Sequence, residues 1–355
     1  MRTSRYLVSD MNNHVLEEDV RHFADRFELL DQLKCKTFLI TGATGLIGSV
    51  MIKCLLELNR QKHLDIKILA AVRNIEKANL LLGPNDEGLQ FLQIDLKEIN
   101  ADSIGQRVDY VIHLASPTAG RFMEENPVET FDLAYQSTYA LLIFAKQTTV
   151  KSMVYVSSLE YYGQVLDDRL ITEDMQGYVD PVSPRSSYPM GKRAAEYLCY
   201  AFSKEYGTPA KVARLTQTFG AGISENDNRV FAQFARSIIK GEDIVLHTTG
   251  ESAKPYCYTM DCIAAILCIL LKGKSGEAYN VANQDTYISI RDLAEFMKQH
   301  FNPNIDVRVE LNENMGYAPV TKLRLSAQKL MALGWQPRYD LREMFERLTM
   351  YLVDE

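Results

Sequence analysis

The chain has 355 residues, 46% of them apolar, and a formal net charge of −7. That length can bury one large core or two small ones, and the negative balance excludes nucleic acid as a bulk electrostatic partner. The longest apolar run, Ile263 to Leu271, is too short to cross a bilayer. Met1 to Tyr6 lead into charged sequence rather than the apolar core of a signal peptide, so a cytoplasmic protein with no membrane partner is expected. Cys35, Cys54, Cys199, Cys257, Cys262 and Cys268 show no zinc spacing and read as buried free thiols.

Taken in order, Val15 to Leu33 carries apolar residues at helical spacing. This N-terminal extension, residues 1–33, is expected to cover the outside of the following lobe or to meet a partner subunit. Phe38-Leu-Ile40 then reads as a buried parallel strand. Gly42, Gly45 and Gly48 follow, and an amphipathic helix runs from Ser49 to Leu58. Strand, glycine turn and helix in that order make a dinucleotide site. The glycines let the backbone approach a pyrophosphate, and the helix N-terminus offers it free N–H groups. Gly42, Thr44, Gly45, Leu46, Ile47 and Gly48 are the candidate cofactor residues here.

Ile66–Val72 is the second strand, and its tip is Arg73, where an NAD site places an acid on the ribose hydroxyls. An Arg there suits the 2′-phosphate of NADP or lies free in solvent, so both cofactors stay open. Leu89–Ile94 is the third strand, ending at Asp95-Leu96, and Asp109–Ser116 the fourth, ending at Leu114-Ala115-Ser116. These ends border the expected cofactor. Glu129–Lys146 reads as a long helix, Ser152–Ser158 as the fifth strand and Val212–Leu215 as the sixth. Strands alternating with helices imply an α/β fold with a doubly wound parallel sheet, the Rossmann arrangement, over residues 34–215. Residues 216–355 mix helices (230–240, 262–271, 290–301) with short strands (244–247, 278–281, 307–310) and read as a smaller substrate lobe, with parts of 255–275 returning to the first. Trp335, the only tryptophan, is expected to pack in this lobe.

Tyr188 and Lys192 are four residues apart at the start of a helix that ends near Tyr206, so they share a face. An ammonium there favours the phenolate, and such a phenol can take a proton while hydride leaves for a nicotinamide. Ser157 and Ser158 end the fifth strand and can bond the same hydroxyl. Glu160 lies two residues beyond Ser158; if strand alternation persists, both point into one cleft. His113, at a buried strand end, reads as structural.

Together these motifs resemble the extended short-chain dehydrogenase/reductases, in their nucleotide-sugar epimerase/dehydratase branch. The resemblance runs from about Lys34 to the C-terminus. It rests on Thr41–Gly48, His113–Ser116, Val156–Gly163, Tyr188 with Lys192, Arg214–Gly220, Asn228–Val230, Tyr256–Asp261, Gly276–Val281 and Leu333–Pro337. It implies an NAD(P)-dependent enzyme that oxidises a nucleotide-linked sugar at C4 and works through the ketone. Ser158, Glu160, Tyr188 and Lys192 would be catalytic, and Ser116, Ser157, Gln217, Arg229 and Lys254 would touch substrate. It also implies a homodimer formed through helices like 129–146 and 188–206. Ser157-Ser-Leu-Glu160 is most similar to the UDP-glucuronate decarboxylases, while Leu159 stands where the dehydratases carry Asp. Lys254, Gln217, Ala134 and Arg73 stand where the family commonly has Arg, Asn, Asn and Asp. An NADP-linked reductase with net hydride transfer and a non-catalytic dinucleotide sensor are the alternatives.

Overall fold

The computed structural model describes residues 14–117, 120–165, 167–312 and 320–353. The stretch from Met1 to Tyr6, and with it the reading of the N-terminus, lies outside them. The first half contains α1 (His14–Arg26), β1 (Thr37–Thr41), α2 (Leu46–Lys62), β2 (Lys67–Val72), α3 (Ile75–Leu82), β3 (Leu89–Gln93), α4 (Ala101–Ile104), β4 (Tyr110–His113), α5 (Gly120–Glu125), α6 (Pro127–Gln147) and β5 (Ser152–Ser158). There follow β6 (Leu170–Ile171), α7 (Ser187–Tyr206), β7 (Ala210–Leu215), β8 (Gln217–Phe219), α8 (Val230–Lys240), β9 (Ile244–Leu246), β10 (Ala253–Tyr258) and α9 (Thr259–Lys272). The chain closes with β11 (Ala278–Val281), β12 (Asn283–Ser289), α10 (Ile290–Phe301), β13 (Val307–Val309), β14 (Arg324–Leu325), α11 (Gln328–Met331) and α12 (Leu341–Val353).

Seven strands form one parallel sheet in the order β11-β7-β5-β4-β1-β2-β3. Strand alternation decides which helices cover which face. Phe38, Ile40, Ile68, Ala70, Ile112 and Val154 join the core of α1, α2 and α9. Leu39, Leu69, Val111, Met153 and Tyr155 join the opposite core with α6 and α7. Burial of each large apolar side chain contributes roughly 1.5–3 kcal/mol. Burial on both faces explains why these strands read as continuous apolar runs.

Two expectations change here. Strand 278–281 pairs in register with β7 and extends the main sheet. The first helix stops at Arg26 rather than Leu33. It packs on α2 and α12 within this chain, where its buried Asp19 ion-pairs with Arg347 and accepts a hydrogen bond from the Tyr258 hydroxyl. Five cysteines are buried and free, as expected; Cys35 is exposed. A second sheet, β12-β10-β8, escaped the periodicity because Lys254 and Pro255 break the apolar pattern of β10.

Candidate functional site

The β1–α2 turn has the form a dinucleotide requires. Gly42 adopts φ +66°, and a Cβ there would meet the Ala115 nitrogen and the Leu114 carbonyl carbon at 2.8 Å. A Cβ on Gly48 would strike the Gly42 oxygen at 2.3 Å. The turn is thus pressed against the end of β4, which brings Leu114, Ala115 and Ser116 beside it. Thr41 fixes this contact: its hydroxyl accepts the Leu114 and Ala115 N–H groups at 3.2 Å. Its own proton then goes to His113 Nδ1 at 2.7 Å, leaving Nε2 to donate to Ser137 Oγ at 3.1 Å. Burial pushes the His113 pKa down to about 3, so the ring stays neutral and structural. Helix α2 begins at Leu46, after Gly45 at the cap position, with no side-chain cap and no acid in its first turn. Its first N–H groups are left for an anion. These features fit the pyrophosphate of a dinucleotide.

Arg73 follows the last residue of β2 and is exposed; its carbonyl accepts from Gln93 Nε2 at 3.1 Å. Asp95 lies just past β3 and caps its own loop through the Lys97 N–H, and Leu96 packs on the α6–α7 core. Among the described residues the β2 tip itself, Arg73-Asn74, carries no acid to repel a 2′-phosphate; the next in sequence is Glu76, in the first turn of α3.

Tyr188 lies in the first turn of α7, beside Ser158 at the end of β5 and Ser116 beyond β4. Burial pushes its phenol up to about 12; the negative charge of Glu160 adds to this, and the Ser158 and Ser116 hydroxyls oppose it. Lys192, one turn on, is buried and lowered by desolvation to about 8. Its Nζ donates to the Val156 carbonyl at 2.9 Å and sits 5.4 Å from the Tyr188 ring centroid. The expected lowering of the phenol by this ammonium is not what the site shows: burial raises it, and the cation that opposes the rise is Arg185.

Below Lys192 on the same helix face is Glu196, a buried partner of Arg214 at 2.8 Å. Arg214 also donates to the Tyr162 hydroxyl at 2.9 Å and stacks 3.5 Å over the Tyr161 ring. Arg193 donates to the Tyr161 and Gly177 carbonyls at 2.8 Å each. Two arginines therefore clamp the segment that follows Ser158. Sequence reading missed Glu196 and Arg193 as site supports, although the four-residue spacing after Tyr188 and Lys192 signals the first.

The strand alternation invoked for Glu160 fails, because β5 ends at Ser158 and Leu159–Tyr162 form a 3-10 turn. Ser158 Oγ caps that turn by accepting the Glu160 N–H at 3.2 Å. Glu160 nonetheless reaches the cleft, where its carboxylate pairs with Arg185 at 3.1 Å. Arg185, which the sequence did not single out, also faces Glu124 at 3.8 Å. Lys254, on β10, is lowered by burial and feels the charges of Glu160, Arg229 and Arg185, so these four groups share one region. Arg229 is gripped by Asp227, its Nε 3.0 Å from both carboxylate oxygens. Gln217 opens β8, paired with Tyr256 of β10. Ser157 is not gathered into this group; it is buried beside Glu196. Leu159, buried, presents no acid.

The NAD dependent epimerase/dehydratase family matches residues 38–282. UDP-glucuronic acid decarboxylase 6 of Arabidopsis thaliana is 28% identical over 305 residues, covering 86% of this chain and 85% of that protein. The UDP-glucose 4-epimerase of Thermotoga maritima, solved with UDP-glucose, superposes with a TM-score of 0.75 at 21% identity, covering 89% of this chain and 98% of that one. The UDP-glucuronic acid 4-epimerase of Bacillus cereus, solved with UDP-glucuronic acid and NAD, gives 0.73 at 20%, covering 89% and 99%. The two structures share the fold, and the family match spans the glycine turn, the Tyr188–Lys192 helix and the cation-lined cleft: the chain belongs to the NAD dependent epimerase/dehydratase family.

Proposed function

We propose that this chain is a nucleotide-sugar-modifying enzyme of the epimerase/dehydratase/decarboxylase type, working through a 4-keto sugar. The observation that carries it is the meeting of two sets of groups at one cleft: Ser158 and Tyr188 from the sheet end, and Glu160 among Arg185, Arg229 and Lys254. Three cations suit the diphosphate of a nucleotide sugar and any sugar carboxylate. NAD, or NADP through Arg73, is the cofactor the glycine turn fits. Bound in the cleft, an oxidised nicotinamide would supply the hydride acceptor and a positive charge beside the phenol.

Tyr188 takes the proton of the sugar hydroxyl, with Ser158 holding that hydroxyl in line. Lys192 holds positive charge beneath the ring. Glu160 then serves the carbon next to the ketone, adding or removing a proton there. Leu159, in place of an acid, leaves no group to expel a 6-hydroxyl, which favours decarboxylation or epimerisation over dehydration. The likeness to UDP-glucuronic acid decarboxylases supports a lyase reading.

Residues 34–215 are the cofactor lobe and 216–355 the substrate lobe, with parts of 255–275 and strand 278–281 returning to the first. A homodimer forms through the face of α6 and α7, where Phe131, Tyr139, Tyr197 and Tyr200 are exposed and Phe131, Tyr135 and Tyr139 stack at 6.3 Å intervals. Cytoplasmic residence rests on the six free thiols. Among the described residues no helix is long and apolar enough to cross a membrane. The test is NMR of products after incubation with UDP-glucuronate, UDP-glucose and their dTDP and GDP counterparts. Product formed without net cofactor reduction supports internal redox. Stoichiometric consumption of NADPH on a keto substrate establishes the reductase instead, and no turnover with tight NAD binding establishes a sensor.

A further inference from the structure

A cavity of about 120 Å³ lies between the end of α1, helix α9 and the segment 333–339. None of the candidate cofactor or substrate residues lines it. Its α1 wall precedes the family match, so the family pattern does not supply that wall. Trp335, buried, lines it; the indole N–H is already spent on the Asp261 carbonyl at 3.0 Å, so the ring offers apolar surface. Phe23 and Tyr339 add further aromatic surface, Tyr339 packed 4.4 Å from Tyr258.

Three cations stand among the residues that line this cavity. Arg26 ends α1, Lys272 ends α9, and Arg338 follows Trp335 by three residues. Lys272 Nζ donates only to the Leu333 carbonyl at 3.1 Å, and Arg338 Nη2 to the Arg26 carbonyl at 3.3 Å. Among the described residues none of the three belongs to an ion pair, although Glu28 and Asp261 line the cavity with them and Asp261 feels the charge of Arg338. The buried Asp261 carboxylate beneath accepts the main-chain N–H groups of Arg338 and Tyr339 at 2.9 and 3.1 Å. Three cations against two lining carboxylates, Glu28 and Asp261, leave the cavity with one excess positive charge, His22 taken as neutral.

A closed apolar cavity of about 150 Å³ accepts benzene; this one, at about 120 Å³, is smaller but opens to solvent, so it is sized for no more than one ring. We propose that it binds a small aromatic anion, with one ring inside and an acidic group held at the rim by Arg26, Lys272 and Arg338. Cation and ring-face contacts both favour such a ligand over either half alone.

Trp335 is the only tryptophan, so its emission reports this cavity directly. The probe is phenyl phosphate, titrated into the full chain with and without saturating NAD and read by Trp335 emission and by saturation-transfer NMR. A saturable response is expected in both states, with phenol and inorganic phosphate each at least tenfold weaker. Arg338→Gln keeps the main-chain N–H to Asp261 and should weaken binding fivefold or more at unchanged melting temperature. Ala264→Phe, which fills the cavity, should abolish it. The proposal is overturned by no saturable response, by equal binding of inorganic phosphate, by displacement with NAD, or by full binding in both variants.

Discussion

Around Tyr188 the groups are buried and tied to the framework: Lys192 to the Val156 carbonyl, Glu196 to Arg214, Thr41 to the end of β4. Across the cleft, Glu160 and Arg185 are about one-third exposed, and they pair with each other from two irregular segments. Buried networks of this kind hold one geometry, since a partner removed leaves an uncompensated charge. Exposed pairs are worth only about 0–1 kcal/mol, so Arg185 can leave Glu160 when a ligand arrives. On the proposed function, the redox end would be a fixed device and the end that decides the fate of the sugar an adjustable one. Substitutions should therefore fail in different ways at the two ends.

The largest effect is expected from Tyr188→Phe at the fixed end. Turnover should fall about 10²–10⁴-fold, as for loss of a general base, with cofactor affinity and melting temperature kept. Activity within a few-fold of the parent would remove Tyr188 from the chemistry. Arg214→Met breaks the buried pair and strands Glu196. It should cost about 3–5 kcal/mol of stability, read in denaturant unfolding; a loss below 1 kcal/mol would show that the pair is not the anchor of this end.

Glu160→Gln tests the adjustable end. Fold and melting temperature should hold, because the lost ion pair is exposed. Hydride transfer should persist, seen as reduced cofactor, while product formation drops on the order of 10²-fold. With the parent enzyme in D₂O, deuterium should enter the sugar at C5. Full turnover by the variant, with no deuterium on the sugar, returns the reading to a 4-epimerase or reductase.

The two ends also differ in how far the sequence disclosed them. Gly42, Gly45 and Gly48, and Tyr188 with Lys192, are local spacings on one turn and one helix, so periodicity alone exposes them. Six strands of the seven-stranded sheet were legible for the same reason, each being a short apolar run; the seventh, β11, was read as a strand but assigned to the smaller lobe. Arg185 pairs with Glu160 at a separation of 25 residues, and no local spacing encodes that. Glu160 was found through a motif, but the strand alternation offered for it was wrong, because a capped 3-10 turn begins at Leu159. Helix α1 read correctly as amphipathic, yet its partners α2 and α12 lie at opposite ends of the chain and could not be named.

The pH dependence belongs to the fixed end. Burial depresses Lys192 from the usual lysine value to about 8. The side chain is therefore charged below that pH and neutral above it. With the phenol brought below this window by the positive charge of a bound oxidised nicotinamide, loss of the Lys192 charge should lower kcat/KM by about tenfold per unit as pH rises beyond about 8, and Lys192→Arg should remove that limb. The stability sign is opposite: an unfolded lysine still binds its proton between about 8 and 10.5, so this group favours folding more as pH rises through that window. A flat activity profile from pH 7 to 9.5 would show that the charge of Lys192 is not used.

The smallest effect concerns Arg73, at the rim of the cofactor site. It is exposed at the tip of β2, where an acid would hold ribose hydroxyls and repel a 2′-phosphate. With Arg there, the repulsion is absent and a cation is in reach. An exposed pair adds little, but a bidentate grip on phosphate is stronger. The expected balance is NADP bound within about tenfold of NAD, since 1.4 kcal/mol is one decade. Arg73→Asp should weaken NADP by about tenfold or more and leave NAD unchanged or tighter, because the new carboxylate can accept the ribose hydroxyls. Raising salt should erode the NADP affinity of the parent and not that of the variant, since screening acts on the charge pair alone. If NADP binds far more weakly than NAD to the parent itself, Arg73 points to solvent, and the cofactor choice is made elsewhere on the turn.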